Sequence, residues 1–391
     1  MPRTNLHIYP STFTNEARIL KETSAIARGE LFDDIEIIAI GGENLPTREQ
    51  LDERRWVWRV PVIASRLGRN LVAKVIRHAE WMLRILLGLL GRSVECVNCH
   101  SLSVLPLAVV IKLFWRTRLI YDTHELETES ASVSGIRKRV AKVVERCLIR
   151  FCDNVIVVGD SIAEWYRDAY GLSNVSVVRN KPILTTTHQP DERNLLKEAL
   201  NLEPSDRLFL YQGILERGRG LEILLDAFEH HGSQNHFVAM GYGSWEPLIR
   251  ERAERCSNIH FHPAVSPQEL GKYTVCADVG LCLIEDCCLS YRYCLPNKLF
   301  EYLAAGLPTL ISNLPDMVRV IEGSGCGWIV EPNSGSVSAV VNGITPEVLA
   351  EKAQAARNHR QEFTWEEEER TLIAVYSKDF PTQSAQPRRA G

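Results

Sequence analysis

Short β-branched runs alternate with helix-length amphipathic segments along this chain, and they do so twice, which restricts the fold more tightly than any other feature of the sequence. In the first half the runs lie at residues 34–40, 119–121, 154–158 and 174–178. In the second half they lie at 208–211, 236–240, 260–262, 279–284, 309–311 and 327–330. Strands separated by single helices pair in parallel through crossovers, so the pattern predicts an α/β chain with two doubly wound sheets. The alternation pauses at 180–190, where two prolines and three consecutive threonines predict a linker. The 391 residues, at roughly 150 per domain, suffice for a core on either side of it. The expected division is a first domain over 1–182, a second over 183–363, a last helix over 364–380 and a mobile tail over 381–391. That helix opens on Thr364 as a cap, with Glu366 to Glu369 in the first turn, where the helix dipole favours anions.

Open parallel sheets hold their ligands beyond the carboxyl ends of the strands, so two of them predict a binding cleft between two lobes. On physics alone a dehydrogenase, an epimerase, a sugar transferase and a binding module all remain open. A net charge of −4 predicts no general affinity for nucleic acid. The eleven cysteines form no paired framework, and MPRTNLHIYP lacks a basic stretch followed by an apolar one, which predicts a reducing cytoplasm and an unused sequon at Asn174. The longest apolar stretches, 81–90 and 104–115, are broken by Arg84 and by Pro106 and Lys112, so no membrane-spanning helix is expected.

Three segments carry candidate chemistry. In LPNKLFEYLAAGLPTLISN (295–313) a Pro-Asn-Lys turn opens a helix, whose first turn offers unpaired amides and positive potential. Asn297, Lys298 and Leu299 stand at that start and Glu301 three residues after Lys298, a cradle for diphosphate and ribose; the plainer reading is a packing helix with a surface Lys–Glu pair. In YQGILERGRGL (211–221) a strand ends in a glycine turn at Gly213 that delivers Arg217 and Arg219, suited to bidentate contacts with phosphate, or else a solvated loop. Gly241 and Gly243 form a further turn after a strand, open to a nucleotide or simply tight. In LIYDTHELETE (119–129) a strand runs into Asp122, His124 and Glu125, placing His124 to bind an acceptor hydroxyl or shuttle its proton, with Asp122 or Glu125 orienting the ring; the alternative is a loop of solvated acids.

Together these segments resemble the retaining glycosyltransferases of family 4, a GT-B group that uses nucleotide-sugar donors. The likeness is strongest from Tyr211 to Pro332 and thinner in TNEARILKE, VNCHSLSVLPLA and YDTHELETE of the first half. It implies two Rossmann-like domains facing across a cleft, with the donor on the second. It implies that Arg219 and Lys298 hold the diphosphate, that Glu301 holds the ribose, that His124 faces the reacting sugar, and that the final helix crosses back to the first domain. The implied reaction is departure of the diphosphate from the sugar's anomeric carbon and attack by an acceptor hydroxyl on the same face. The family carries two glutamates eight positions apart, but Tyr293 stands where the first belongs, with Glu285, Asp286 or the amides of 290–297 as substitutes. No Asp-x-Asp occurs, so the diphosphate is expected to be neutralised without a metal, and no cofactor is expected beyond a UDP- or GDP-sugar co-substrate.

Between Arg54 and Arg92 nine Lys or Arg residues accompany one acid, Glu80, with Val62, Ile63, Leu67, Leu71, Val75 and Ile76 at helical spacing. That composition suits either an amphipathic helix lying on anionic lipid, making the protein peripheral on the cytoplasmic face of a membrane, or a core-facing helix with a solvated basic side. Cys96-Val-Asn-Cys99-His100 matches a haem-attachment pattern, but reads better as a buried strand; the cysteines at 276–294 lack zinc-site spacing. The expected function is transfer of a sugar to a lipid-linked or growing glycan acceptor in cell-surface polysaccharide or glycolipid synthesis. The alternatives are a nucleotide-sugar epimerase of the same architecture and a catalytically silent sugar-nucleotide-binding scaffold.

Overall fold

The computed structural model describes residues 2–14, 16–66, 70–183, 194–229 and 234–380. These divide into two compact units, one built from Met1–Val178 with Glu369–Gly391 and the other from Arg179–Glu368. Most of the expected linker, the tail at 381–391 and Asn15 fall outside the described residues.

In the first unit the order is β1 (Thr4–Ile8), α1 (Ala17–Arg28), β2 (Asp34–Ile40), β3 (Arg48–Gln50), β4 (Arg55–Val60), α2 (Leu71–Leu89) and β5 (Cys96–Cys99). It continues with α3 (Leu105–Trp115), β6 (Arg118–Asp122), α4 (Gly135–Leu148), β7 (Asn154–Val157), α5 (Asp160–Tyr170) and β8 (Val175–Val177). Eight strands line up as β3-β4-β2-β1-β5-β6-β7-β8, all parallel except the short edge strand β3. The chain leaves β1 toward β2 but later resumes at β5 on its other side, so the strand order reverses between β1 and β5. Right-handed crossovers then place α2, α3 and α4 on one face of the sheet and α1 on the other.

Four strands escape the sequence pattern. β1 is fully buried yet carries Asn5 and His7, and β5 is the buried segment expected at Cys96–Cys99. β3 and β4 lie around the basic run, whose expected helix corrects to a strand, a turn and then α2 beginning only at Leu71; the Asn70 side chain accepts from the Ala73 amide and caps it. Leu67 lies outside the described residues. Arg59 does not reach solvent: its guanidinium donates to the carbonyls of Thr12, Pro46 and Phe13.

The second unit comprises α6 (Leu195–Leu200), β9 (Arg207–Ile214), α7 (Leu221–Glu229), β10 (Asn235–Tyr242), α8 (Glu246–Arg255), β11 (Ile259–Pro263), α9 (Pro267–Thr274) and β12 (Val279–Cys282). Then follow α10 (Leu289–Arg292), α11 (Asn297–Ala304), β13 (Thr309–Ser312), α12 (Pro315–Ser324), β14 (Gly327–Val330), α13 (Ser334–Gly343), α14 (Pro346–His359) and α15 (Trp365–Ser377). Its six parallel strands run β11-β10-β9-β12-β13-β14, so the order reverses between β9 and β12. Two apolar layers, one around Leu299, Phe300 and Tyr302 and the other around Phe209, Phe228 and Phe237, cover the two faces. From Glu369 onward α15 belongs to the first unit, where Tyr376 Oη donates to Asn98 Oδ1 (2.6 Å) and Glu369 pairs with Arg28 (2.6 Å).

Candidate functional site

A reversal of strand order leaves a crevice at the carboxyl ends of the two strands that flank it, because the loops on either side diverge. In the second unit those ends are Gln212–Ile214 of β9 and Cys282 of β12, and α11 begins against them. Lys298, in the first turn of α11, lays its ammonium 3.3 Å from the centre of the Tyr211 ring and beside Gly213, where an added Cβ would stand 3.7 Å from Nζ. The ammonium is buried and has no hydrogen-bond partner among the described residues. Burial pushes its pKa down to about 7, and the positive charge of Arg219 adds to the fall against the opposing pull of Cys282 and Glu301. An unpartnered cation next to the positive end of a helix is a site built for an anion.

Glu301 faces the same end of β9. Gln212 Nε2 donates to Glu301 Oε2 (2.6 Å), Thr274 Oγ1 donates to Gln212 Oε1 (2.9 Å), and the Gln212 amide donates to Tyr302 Oη (2.8 Å). The chain holds Glu301 off Lys298 and fixes its orientation. Gln212 was not singled out in the sequence; its only signal was its place as the last residue before Gly213. Arg219 stacks over the Tyr291 ring at 5.0 Å, on a loop pinned where Glu285 accepts from the Gly220 amide and its own amide donates to the Gly218 carbonyl.

The two glycines expected to let a nucleotide approach have another duty. A Cβ on Gly241 would lie 1.8 Å from the Gly213 carbonyl oxygen, and one on Gly243 2.2 Å from that of Leu215. They are glycine so that β10 can press on the β9 loop, which Glu216 reinforces by accepting from the amide and hydroxyl of Ser244. The Leu299 side chain is core and its amide donates to the Pro296 carbonyl, so it packs α11. Asn297 is exposed at the helix start.

In the first unit the reversal lies at the carboxyl ends of β1 and β5, and a buried polar chain fills it. His7 Nδ1 and His100 Nε2 are 2.9 Å apart, and His100 Nδ1 lies 3.0 Å from Asp122 Oδ2. Arg18 donates to both Asp122 oxygens (3.1 and 2.8 Å) and lies 2.9 Å from Glu22. His124 Nε2 stands 3.3 Å from Asp122 Oδ2, its ring half-buried between those of Tyr9 and His100. Burial works to raise the Asp122 carboxyl, but Arg18, His124 and His100 outweigh it and hold it well below the usual carboxylate range. Glu22, buried beside that charge, is pushed well above it.

Asp122 is buried under Arg18 and lies 3.3 Å from His124, placed to orient that ring as expected of it or of Glu125. Glu125 is exposed on the loop beyond. The ligating atoms of His7, Glu22 and His100, and of His100, Asp122 and His124, converge within 4.8 Å. Arg18 already supplies the cation there, so the set suits an internal ion pair better than a metal.

A model of the group 1 glycosyl transferases matches residues 206–345, and one of the glycosyl transferase 4-like domain matches residues 24–181. No curated protein sequence matches. Among solved structures, a sucrose-phosphate synthase from Thermosynechococcus elongatus is 15% identical with a TM-score of 0.79, covering 96% of this chain and 98% of that one. HepE from Anabaena in complex with UDP-glucose is 13% identical with a TM-score of 0.72 over 96% and 99%. A glycosyltransferase from Rickettsia africae is 13% identical with a TM-score of 0.69 over 96% and 98%.

Proposed function

This chain belongs to the group 1 glycosyltransferases with a 4-like N-terminal domain and the two-sheet GT-B fold, and on that premise we propose that it moves a sugar from a UDP- or GDP-linked donor to a lipid-linked or growing glycan acceptor, with retention at the anomeric carbon. The observation that carries the donor assignment is the buried, unpartnered Lys298 ammonium at the switch point of the second sheet. The departing nucleoside diphosphate supplies the missing anion: Lys298 and Arg219 grip its oxygens, and Glu301, steadied by Gln212, accepts from the ribose hydroxyls. Each charge-assisted contact that strengthens as the leaving group gains charge is worth about 1.5–3 kcal/mol. The Anabaena relative's UDP-glucose complex supports this donor class. His124, its ring held by Asp122, is assigned to the reacting sugar and the acceptor hydroxyl.

The place of work proposed is the cytoplasmic face of an anionic membrane, in cell-surface polysaccharide or glycolipid synthesis. No helix among the described residues is long and apolar enough to cross a membrane. Two helices on one face of the first sheet instead turn apolar side chains outward. α2 exposes Val72, Ile76, Leu83 and Leu87, and α4 exposes Ile136 (78%), Val140 (56%) and Val143 (62%) at i, i+4 and i+7. Arg137, Arg139 and Arg146 flank the α4 stripe, while its one acid, Glu145, is buried and accepts from Tyr166 and Tyr170 (2.8 and 2.7 Å). A basic helix with an apolar outer stripe is what an anionic lipid surface attracts, at about 1 kcal/mol per basic residue.

The substitution at Tyr293 favours a second reading, a sugar-nucleotide-binding protein without turnover. Incubation with a panel of UDP- and GDP-sugars separates the two. Release of free UDP or GDP from one donor, lost in Lys298→Ala and Arg219→Ala by at least ~10²-fold, is the expected result. Binding of a nucleotide sugar without any release, with or without acceptor, removes the transferase reading and leaves the second.

A further inference from the structure

A cavity of about 440 Å³ opens at the carboxyl ends of β2 and β4, away from the histidine chain. One face of α2 forms its basic wall: Lys74, Arg77, His78 and Trp81 stand at i, i+3, i+4 and i+7 and all line it. Glu43 is the one acid among the described lining residues.

The cavity is braced open. Buried Arg59 ties the 12–13 and 46 backbone carbonyls together and pairs with Glu49 (2.7 Å). Trp81 Nε1 donates to the Ala39 carbonyl (3.0 Å), and the Gly41 amide donates to that of Val60 (2.8 Å). His78 Nε2, 2.9 Å from the Ser103 carbonyl oxygen, fixes that ring. With its walls committed to backbone partners, the space cannot collapse onto its own cations.

Apolar surface begins one residue from the lining. Val62 and Lys74 line the cavity, and their neighbours Ile63 (67%) and Val75 (60%) are exposed. On α2 Trp81, Ile85 and Leu89 pack on the core, Lys74, Arg77 and His78 border the cavity, and Val72, Val75, Ile76 and Leu83 turn to solvent. A pocket lined by more basic than acidic side chains, bordered by exposed apolar ones, matches an amphiphile with an anionic head.

We propose that this cavity binds the phosphate or diphosphate head of an acceptor carried on an apolar chain. The inference rests on the reading of the chain as a transferase to a lipid-linked acceptor, and it names the acceptor's chemistry and its seat. Lys74 and Arg77 neutralise the head, Trp81 floors the space, and the chain stays with the apolar surface of α2.

Titration calorimetry of the full chain with geranyl phosphate, geraniol and inorganic phosphate tests this. Geranyl phosphate is expected to bind, with geraniol and inorganic phosphate at least tenfold weaker, since each supplies half of the recognition. Lys74→Glu is expected to weaken geranyl phosphate at least tenfold, Lys74→Gln by less, and Lys378→Glu, an equal charge change outside the cavity lining, not at all. Equal binding by Lys74→Glu and wild type overturns the proposal, as does inorganic phosphate or geraniol binding as tightly as geranyl phosphate. Donor hydrolysis without acceptor is run alongside and is expected to be unchanged in Lys74→Glu. If wild type releases no UDP or GDP from any donor, the transferase reading fails by itself, and the geranyl phosphate titration still decides the cavity.

Discussion

Lys298→Met is expected to make the free protein more stable and less active at once, because the lysine is kept for a ligand and not for the fold. Its ammonium is buried without a hydrogen-bond partner among the described residues, and the fall of its pKa from 10.5 to about 7 measures what burial costs the charged form, about 4–5 kcal/mol. Below pH 7 that whole amount is open for methionine to recover, since its stem fills similar space and carries no charge. For a unit of this size, that is a rise in Tm of about 8–20 °C.

The pH dependence makes the cause identifiable. Below pH 7 both folded and unfolded wild type hold the proton, and the penalty is present in full. Between pH 7 and 10.5 the unfolded chain keeps a proton that the folded one has lost, so wild-type stability rises with pH by up to ~1.4 kcal/mol per unit. The advantage of Lys298→Met therefore shrinks as pH rises, to less than half its full size at pH 9. Thermal unfolding of both proteins at pH 6, 7.5 and 9 reads this directly, and UDP added at pH 7.5 is expected to raise the wild-type Tm while leaving the variant unmoved. A variant less stable than wild type at pH 6, or an advantage undiminished at pH 9, refutes the claim that Lys298 is a strained cation awaiting an anion.

Three further outcomes are expected. UDP binding at pH 8 takes up close to one proton, because a diphosphate beside Lys298 raises its pKa again, and the affinity falls up to tenfold per pH unit above 7; calorimetry in buffers of different ionisation enthalpy counts the proton. Asp122→Asn leaves the Arg18 charge buried and underpaired and destabilises the first unit by about 3–5 kcal/mol, whereas His124→Gln lowers turnover with little change in Tm; denaturant unfolding with donor-hydrolysis assays separates them. Val140→Asp with Val143→Asp leaves Tm unchanged, since both side chains are exposed, but lowers sedimentation with anionic vesicles at least tenfold.

The sequence announced the second unit more fully than the first, and the reason is chemical. Strands β9 to β14 are mostly apolar runs bounded by turns, and every one was expected near its observed place. In the first unit β1 and β5 carry Asn5, His7 and Asn98 at fully buried positions, so their periodicity is broken by the residues that build the polar chain at the switch point. Lys298, Arg219 and Glu301 were legible because a helix start and a glycine turn leave local signatures. Arg18, Glu22 and His100 were not, since they gain their meaning from partners as far as 160 residues away.

Helical spacing identifies which side chains share a face, but it cannot say which face turns inward. On α4 the stripe Ile136, Val140 and Val143 would ordinarily be assigned to the core, yet the inward face is spoken for by Glu145, whose carboxylate is fixed by hydroxyls on β6 and α5. Once a buried acid with four hydroxyl partners holds that face, turning the stripe inward would strand all of those groups, at about 1–3 kcal/mol each. Three exposed apolar side chains cost less than that, and least of all if a lipid surface covers them. α2 keeps Trp81, Ile85 and Leu89 inward, yet it too leaves Val72, Val75, Ile76 and Leu83 exposed beside the cavity that Lys74, Arg77 and His78 line. Exposed apolar side chains on both helices are what the proposed contact of this face with a lipid surface requires, and the vesicle assay on Val140→Asp with Val143→Asp decides it.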